Sequence, residues 1–376
     1  MEYLTLKDIA IINMGQSPNS KTYNGEKKGI PFYQGKSDFG KINPIPRVWC
    51  SNPIKIAEKD DILISVRAPI GDTNIAIERC CIGRGLASIR PLNKNINQKY
   101  LYYLLNSKYN ELNKFGTGST FKAITKDNLC DLKCNKIPNI REQIEVVKKL
   151  DNVNQIIEIK KKQVRDLNTI VKSQFVEMFL KNEFPKEKLE NNVEEMFIGP
   201  FGSALKNECF IEENNGYCVV YEQKHAIYKN IEDFRWVDKD KYESLKRFNV
   251  QPKDIIVSCR GTIGKTFVIP ENAPLGIMHP SIMKIRLKKE KYIPEFFEMV
   301  LQHYFLEKEN QTNGATIKMG IKASTLEKED FIIPDMELQI KYLTFVKQID
   351  KQKFEIENSL KEMQELYESL MEKYFG

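Results

Sequence analysis

The stretch Asp61-Ile62-Leu63-Ile64-Ser65-Val66-Arg67-Ala68-Pro69-Ile70-Gly71 returns later in the chain as Asp254-Ile255-Ile256-Val257-Ser258-Cys259-Arg260-Gly261-Thr262-Ile263-Gly264. Six of the eleven positions are identical, and three more (Leu63/Ile256, Ile64/Val257, Ala68/Gly261) are close in character. A second pair follows in the same order, Gly118-Ser119-Thr120-Phe121-Lys122 and Gly314-Ala315-Thr316-Ile317-Lys318. A third closes each half: Ile137-Pro138, four residues, Gln143-Ile144, matched by Ile333-Pro334, four residues, Gln339-Ile340. The chain is therefore an internal duplication with a period near 195 in 376 residues, and the unit to explain is the half.

After each Ile-Pro comes a stretch of about forty residues without proline or glycine that keeps a 3-4 apolar spacing. In the first half it runs Leu150, Val153, Ile157, Lys160, Val164, Leu167, Val171, Gln174, Met178; in the second Val346, Ile349, Lys353, Ile356, Leu360, Met363, Tyr367, Leu370, Tyr374. Each position of one series lies 196 residues from its counterpart. Such spacing predicts a seam along a long helix, roughly 60 Å for forty residues at ~1.5 Å per residue. A seam that narrow and long needs a partner, and the equivalent helix of the other half supplies one. An antiparallel pairing then carries the globular segments at opposite ends, about an approximate two-fold axis. Packing of each helix on its own globular segment is the competing arrangement.

The globular segments read mainly as strands. Ile62 to Val66 and Ile255 to Cys259 are β-branched runs entered by an Asp and left by an Arg; Pro31-Phe32-Tyr33 and Cys218 to Tyr221 each follow a glycine, Gly29 and Gly216. Helices are predicted at Gln98 to Leu112 and Pro294 to Leu306. The fold class expected is α+β: two mixed α/β domains joined by two long antiparallel coiled-coil helices, with an internal pseudo-two-fold repeat. The predicted segments are 1–140, 141–181, 182–336 and 337–376.

Composition sets the class of partner. Residues 1–140 hold 21 Lys/Arg against 12 Asp/Glu, a balance of +9, whereas residues 182–336 hold 22 against 25, a balance of −3. The first segment suits a polyanion; in the second, nucleic-acid contact must rest on local clusters. No apolar run reaches the ~18–20 residues that cross a bilayer, and the start of the chain lacks the pattern of a signal peptide. Eight scattered cysteines form no disulfide framework and read as small buried thiols in a reducing cytoplasm.

Catalytic constellations are missing from the sequence. Gly264-Lys265-Thr266 lacks the preceding glycine of a phosphate loop, Gly83-Arg84-Gly85 falls short of a dinucleotide fingerprint, Asn43-Pro44-Ile45 and Asn52-Pro53-Ile54 do not make an amino-methyltransferase tetrad, and no Glu-x-Lys follows Pro334-Asp335. His225, His279 and His303 lie far apart and only Cys130 and Cys134 are close, which is no zinc spacing. A recognition subunit whose chemistry resides elsewhere is the expectation.

The positive signals are those of polyanion binding. Arg67 and Arg260 end a strand and begin a glycine-containing turn with Gly71, Gly261, Thr262 and Gly264, where backbone amides and a guanidinium fork suit a phosphate. The same arginines would also fit ion pairs with Asp61 and Asp254. Ser119, Thr120, Lys122, Thr316 and Lys318 offer hydroxyls and lysines for a phosphate clamp. Tyr33, Gln34, Lys36 and Ser37 in one half, and Gln223, Lys224 and His225 with Glu222 in the other, differ in type as two base readers would, since Gln, Lys and His can reach base edges. Arg84, Lys206 and His279 complete the candidates.

This arrangement resembles the specificity subunit of type I restriction-modification systems. The resemblance rests on the repeated Asp-Ile-x4-Arg-x2-Ile-Gly blocks, the Gly-x-Thr-x-Lys loops, the Ile-Pro-x4-Gln-Ile helix entries and the two heptad stretches, and it covers essentially the whole chain. It implies two target-recognition domains, each contacting one half of a bipartite double-stranded DNA site. The helices then set the gap and dock two copies of a modification methyltransferase subunit, which binds S-adenosylmethionine; restriction subunits that translocate DNA are the further members the resemblance allows. No cofactor or metal is expected in this chain. Two other readings stay open: the recognition half of an enzyme whose partner combines nuclease and methyltransferase, and a coiled-coil scaffold or decoy that holds methyltransferase without reading DNA. Pro69 has no N–H, so the two arginine turns differ in the amides they can offer.

Overall fold

The computed structural model describes residues 4–115, 123–134, 136–311 and 322–376. The chain divides into two compact units, residues 1–164 with 355–376, and residues 165–354. Each unit is thus a globular head with portions of both long helices.

In the first unit, strands Ala10–Met14, Leu86–Pro91, Ile62–Ser65 and Thr73–Ile75 form an antiparallel sheet in that order. A five-stranded mixed sheet lies alongside, with Ile30–Tyr33 parallel to Cys80–Ile82. Alternation along Ile62–Ser65 explains the continuous apolar run. Ile62 and Ile64 enter a core with Leu101, Leu105 and Leu150, while Leu63 enters a second core with Tyr33, Ile82 and Leu86. A strand buried on both faces has no use for polar alternation.

The second unit repeats this logic. Val193–Ile198, Ile282–Leu287, Ile255–Ser258 and Thr266–Val268 make the equivalent sheet. Ile255 and Val257 pack with Phe296 and Leu301, and Ile256 packs with Val219, Tyr221 and Met278. Asp61 and Asp254, both buried at the strand entry, are held by arginines of the neighbouring strand. Arg90 Nη2 lies 2.6 Å from Asp61 Oδ2, and Arg286 forks onto both oxygens of Asp254 at 2.7 and 2.8 Å. The pairing of these carboxylates with Arg67 and Arg260 is thereby excluded.

The predicted helix Gln98 to Leu112 is two helices, Gln98–Ser107 and Tyr109–Phe115. The backbone turns at Lys108, whose N–H donates to the Leu105 carbonyl at 3.2 Å, and the Tyr109 ring comes to lie against Gly71. Its counterpart Pro294–Gln311 is continuous and outruns the predicted end at Leu306.

The long helices span Ile140–Phe175, continued by a π-helical turn Val176–Leu180, and Met336–Phe375. Every seam position in both series is buried or half-buried, while the residues between them are mostly exposed. In the first unit Val146, Val147 and Leu150 share a core with Tyr367, Leu370, Tyr374 and Phe375. In the second, Val171, Phe175, Met178 and Phe179 share one with Tyr342, Phe345 and Val346. The beginning of one helix thus meets the end of the other in each unit, which is the antiparallel order. Among the described residues no helix is long and apolar enough to cross a membrane. All eight thiols are free, and burial pushes those of Cys80 and Cys259 up to about 12.

The Ile-Pro-x4-Gln signature has a physical cause. Gln143 is fully buried; its Nε2 donates to the carbonyls of Asn95 and Pro138, each at 2.8 Å, and its Oε1 accepts the Asn97 N–H at 2.7 Å. Gln339 does the same with Lys291, Pro334 and Ile293 at 2.8, 2.9 and 2.9 Å. One amide clips the start of each long helix to the chain entering the head helix. Gln143→Leu or Gln339→Leu strands three buried backbone groups, and we expect a loss of roughly 2–5 kcal/mol, confined to the unit that carries the change and measurable by urea unfolding.

Candidate nucleic-acid interface

Backbone hydrogen bonds gather several strand ends of the first unit at one place. Val66 N–H donates to Gly85 O at 2.9 Å, Gly85 N–H to Gln34 O at 3.2 Å, Gly83 N–H to Tyr33 O at 2.8 Å and Gly15 N–H to Leu86 O at 2.9 Å. The residues that continue past these ends are Gln16 and Ser17, Gln34, Arg84 and Arg67. Ser17 Oγ touches both amide atoms of Gln34, at 3.1 and 3.0 Å, and accepts the Arg84 N–H at 3.2 Å. Together with the stacked rings of Tyr23 and Phe32, centroids 4.6 Å apart, they line a cleft of about 400 Å³. Arg67 and Arg84 are exposed, and no ion pair holds either among the described residues.

The second unit builds the same end with other residues. Cys259 N–H donates to Ser281 O at 2.9 Å, His279 N–H to Tyr221 O at 2.8 Å and Gly199 N–H to Ile282 O at 2.9 Å. Beyond these ends stand Arg260, Gly261 and Thr262, all exposed, with Phe201, Gln223 and half-buried His279. The Oε1 of Gln223 is buried without a partner among the described residues, and its amide lies beside Gly261. The His279 Nδ1 accepts the Ser281 N–H at 3.2 Å and meets the Ser281 hydroxyl at 2.7 Å. Burial lowers the pKa of this ring and so favours its neutral form.

A buried serine shapes each arginine turn. Ser65 Oγ donates to Pro69 O at 2.8 Å and accepts the Asp72 N–H at 3.0 Å; Ser258 Oγ accepts the Lys265 N–H at 2.9 Å. Gly71 and Gly264 have φ of +89° and +77°. A Cβ there would stand 3.2 Å from the Tyr109 ring and 3.1 Å from the Phe305 ring. These two glycines therefore seat the turn on the head helix through a left-handed backbone, and their N–H groups donate to Ser65 O and Ser258 O, each at 2.9 Å, so these amides are not the ones offered to a phosphate.

Other candidates are relocated. Tyr33 is 1% exposed and belongs to the core behind the cleft. His225 is fully buried: its Nδ1 accepts the Glu222 N–H at 2.8 Å and its Nε2 lies 3.0 Å from Glu232 O. Neither side chain reaches solvent, so neither reads a base. Lys36 is tied to Asp72 at 2.7 Å, and Lys224 reaches the Asp233 carbonyl. The Ser37 carbonyl accepts from Arg47, and Lys206 is exposed at the start of a short turn. Ser119, Thr120, Lys122, Thr316 and Lys318 lie outside the described residues. Sequence reasoning missed Ser17 and Phe201; the signal was available in Gly15 and Gly199, each a strand-end glycine in its own half.

The model for the "Type I restriction modification DNA specificity domain" family matches residues 1–169 and again 190–366. The chain belongs to that family, with one match for each half. Among curated proteins it is similar to one assigned as the type I restriction enzyme MjaX specificity subunit of Methanocaldococcus jannaschii, 44% identical over 152 residues, 40% of this chain and 36% of that protein. It is also similar to the MjaIX specificity subunit of the same organism, 28% identical over 201 residues, 50% of this chain and 46% of that protein. The matched stretch spans less than half the length of either relative. A crystal structure of the type I restriction-modification S subunit from M. genitalium shares the fold, with TM-score 0.53 and 17% identity, covering 100% of this chain and 96% of that one.

The buried imidazole of His225 makes the second unit pH-sensitive. Burial lowers its pKa, with Lys224 lowering it further and Glu222 opposing. A histidine with a depressed folded pKa gives its full stabilisation above the unfolded value of about 6.5 and loses it as pH falls below. His279 adds in the same direction. The second unit is expected to melt at lower temperature at pH 5.5 than at pH 7.5, with His225→Gln reducing the difference, as read by thermal denaturation across that window.

Proposed function

We propose that this chain is the DNA sequence-recognition subunit of a type I restriction-modification complex, and is not itself catalytic. Each head reads one half of a bipartite site. The long helices set the distance between half-sites and dock two copies of a modification methyltransferase subunit, which carries S-adenosylmethionine and performs the base chemistry. Restriction subunits are the further partners of such an assembly.

The observation that carries this reading is the duplicated strand-end surface. Arg67 and Arg260 emerge from equivalent doubly buried strands, free of acidic partners among the described residues, on turns fixed by equivalent serines and glycines. Around that constant frame the neighbours differ: Ser17, Gln34 and Arg84 in one head, Phe201, Gln223 and His279 in the other. A constant phosphate-directed cation with variable neighbours is what two readers of different half-sites require, since phosphate contacts position and base contacts specify.

Single-molecule methylome sequencing of cells carrying the chain with its methyltransferase tests the reading. One bipartite motif is expected, absent without this chain, and exchange of one head changes one half of it; an unchanged motif after exchange of both heads refutes the proposal. Arg67→Ala and Arg260→Ala are expected to weaken binding of the complex to all sequences alike and to reduce the salt slope by about one counterion each, as measured by fluorescence anisotropy from 50 to 200 mM salt.

A further inference from the structure

We propose that Phe201 is an aromatic wedge of the second head, entering the base stack of the half-site that head reads; the inference rests on the DNA-reading function above. Phe201 is 89% exposed, the most exposed large apolar side chain among the described residues. Its turn is nevertheless pinned on both flanks. Pro200 is buried before it and Leu205 after it. The Ala204 N–H donates to Phe201 O at 2.8 Å. Gly199 presses on the His279 carbonyl so closely that a Cβ would stand 2.3 Å from that oxygen. The ring is thus presented by a fixed backbone, at the strand ends that also carry His279 and, through the Cys259–Ser281 hydrogen bond, Arg260.

The first head provides the contrast. Its equivalent glycine, Gly15, presses on the Gly83 carbonyl at 2.1 Å from a would-be Cβ, but the chain then continues as Gln16-Ser17, and Ser17 is bonded to Gln34. The frame is shared; among the described residues the first head's rings there, Tyr23 and Phe32, are half-buried and buried, whereas Phe201 of the second is exposed. The charge difference points the same way. Residues 1–140 carry +9 and residues 182–336 carry −3. A net acidic reader gains little long-range attraction from its overall charge, and an apolar side chain pushed between base steps provides attachment of another kind.

The test uses the full chain assembled with its methyltransferase and duplexes bearing its methylome-defined site, with 2-aminopurine placed at successive positions in the second head's half-site. We expect a several-fold rise in fluorescence at one step that disappears in Phe201→Ala and persists in Phe201→Trp; the signal of a base extruded for methylation survives both changes. Phe201→Ala should weaken binding about tenfold to a hundredfold with its salt slope intact, and its exposure leaves the melting temperature unchanged. Full affinity and an unchanged fluorescence pattern in Phe201→Ala overturn the wedge. So does loss of methyltransferase association with the DNA signal intact, which makes the ring a protein contact. Sequence-specific binding without a Phe201-dependent step overturns the wedge alone, whereas absence of sequence-specific binding by the wild-type complex overturns the functional reading with it.

Discussion

Both heads depend on one strand being buried on its two faces while its ends are fixed by polar groups. Ile62-Leu63-Ile64 and Ile255-Ile256-Val257 are inaccessible to water, so either strand slipping by one residue would exchange the residues offered to two different cores. At the entry a buried carboxylate holds an arginine of the next strand. Such a pair is weak evidence for stability, because desolvation offsets much of its attraction. Its value is positional: Asp61 also accepts the Glu58 N–H at 2.9 Å and Asp254 the Gln251 N–H at 2.8 Å, so the acid fixes where the strand begins. At the exit Ser65 and Ser258 fix how the chain turns. The cation that follows is aimed by the strand rather than by contacts of its own.

The long helices obey a different constraint. Their seam residues are mostly half-buried rather than buried, and only near the heads do Leu150, Val153, Ile157, Phe175, Phe179, Tyr342 and Phe375 lose nearly all exposure. The head cores therefore anchor the helices. Tyr342 illustrates the anchoring: its ring meets Phe296 of the head helix at 6.3 Å as well as Phe175 and Phe179 of the other long helix at 5.7 and 5.3 Å, and its hydroxyl donates to Val171 O at 3.2 Å. Lys160, Gln174 and Lys353 interrupt the apolar series and are half-buried, the exposure expected of a long side chain with an apolar stem and a polar end.

Duplication made much of this architecture legible before any coordinates. A residue repeated at the corresponding place of both halves, such as Asp61/Asp254 or Gln143/Gln339, holds the same structural post in both. What repetition did not disclose was which post. Gly71 and Gly264 recur because a ring covers them, although a glycine approached by phosphate leaves the same mark in sequence. Tyr33 and His225 sit in the variable stretches where readers are sought, yet a strand end alternates between core and solvent, and one sequence does not say which parity faces out. Ser17 and Phe201 were overlooked for the opposite reason. They belong to none of the repeated blocks and are marked in sequence by a strand-end glycine alone, Gly15 and Gly199; the backbone ladder carries them to the strand ends where Arg67 and Arg260 emerge.

The two heads are thus equal in frame and unequal in chemistry, and the inequality is coherent. The first head is basic, and its strand-end cleft mixes Ser17, the Gln34 amide, Asp38 and Arg84 with Val48 and the stacked Tyr23 and Phe32 rings, with Arg67 exposed at the neighbouring strand end. The second is acidic, and several of its cations are consumed internally. Arg286 and the buried Lys284 neutralise Glu195 and Asp254, and Arg235 pairs with Glu222 while its guanidinium lies 3.7 Å over the Phe210 ring. The strand-end surface that carries Arg260 then holds, among the described residues, that arginine and Lys265, the half-buried His279 imidazole, the Gln223 amide and the exposed Phe201 ring. A surface of that composition attracts a polyanion weakly at long range and relies on contacts made only at close fit. On the proposed function, long-range attraction comes mainly from the first head and discrimination in the second half-site from contact chemistry, a division of labour that a duplicated unit reaches by changing side chains around strand ends it keeps.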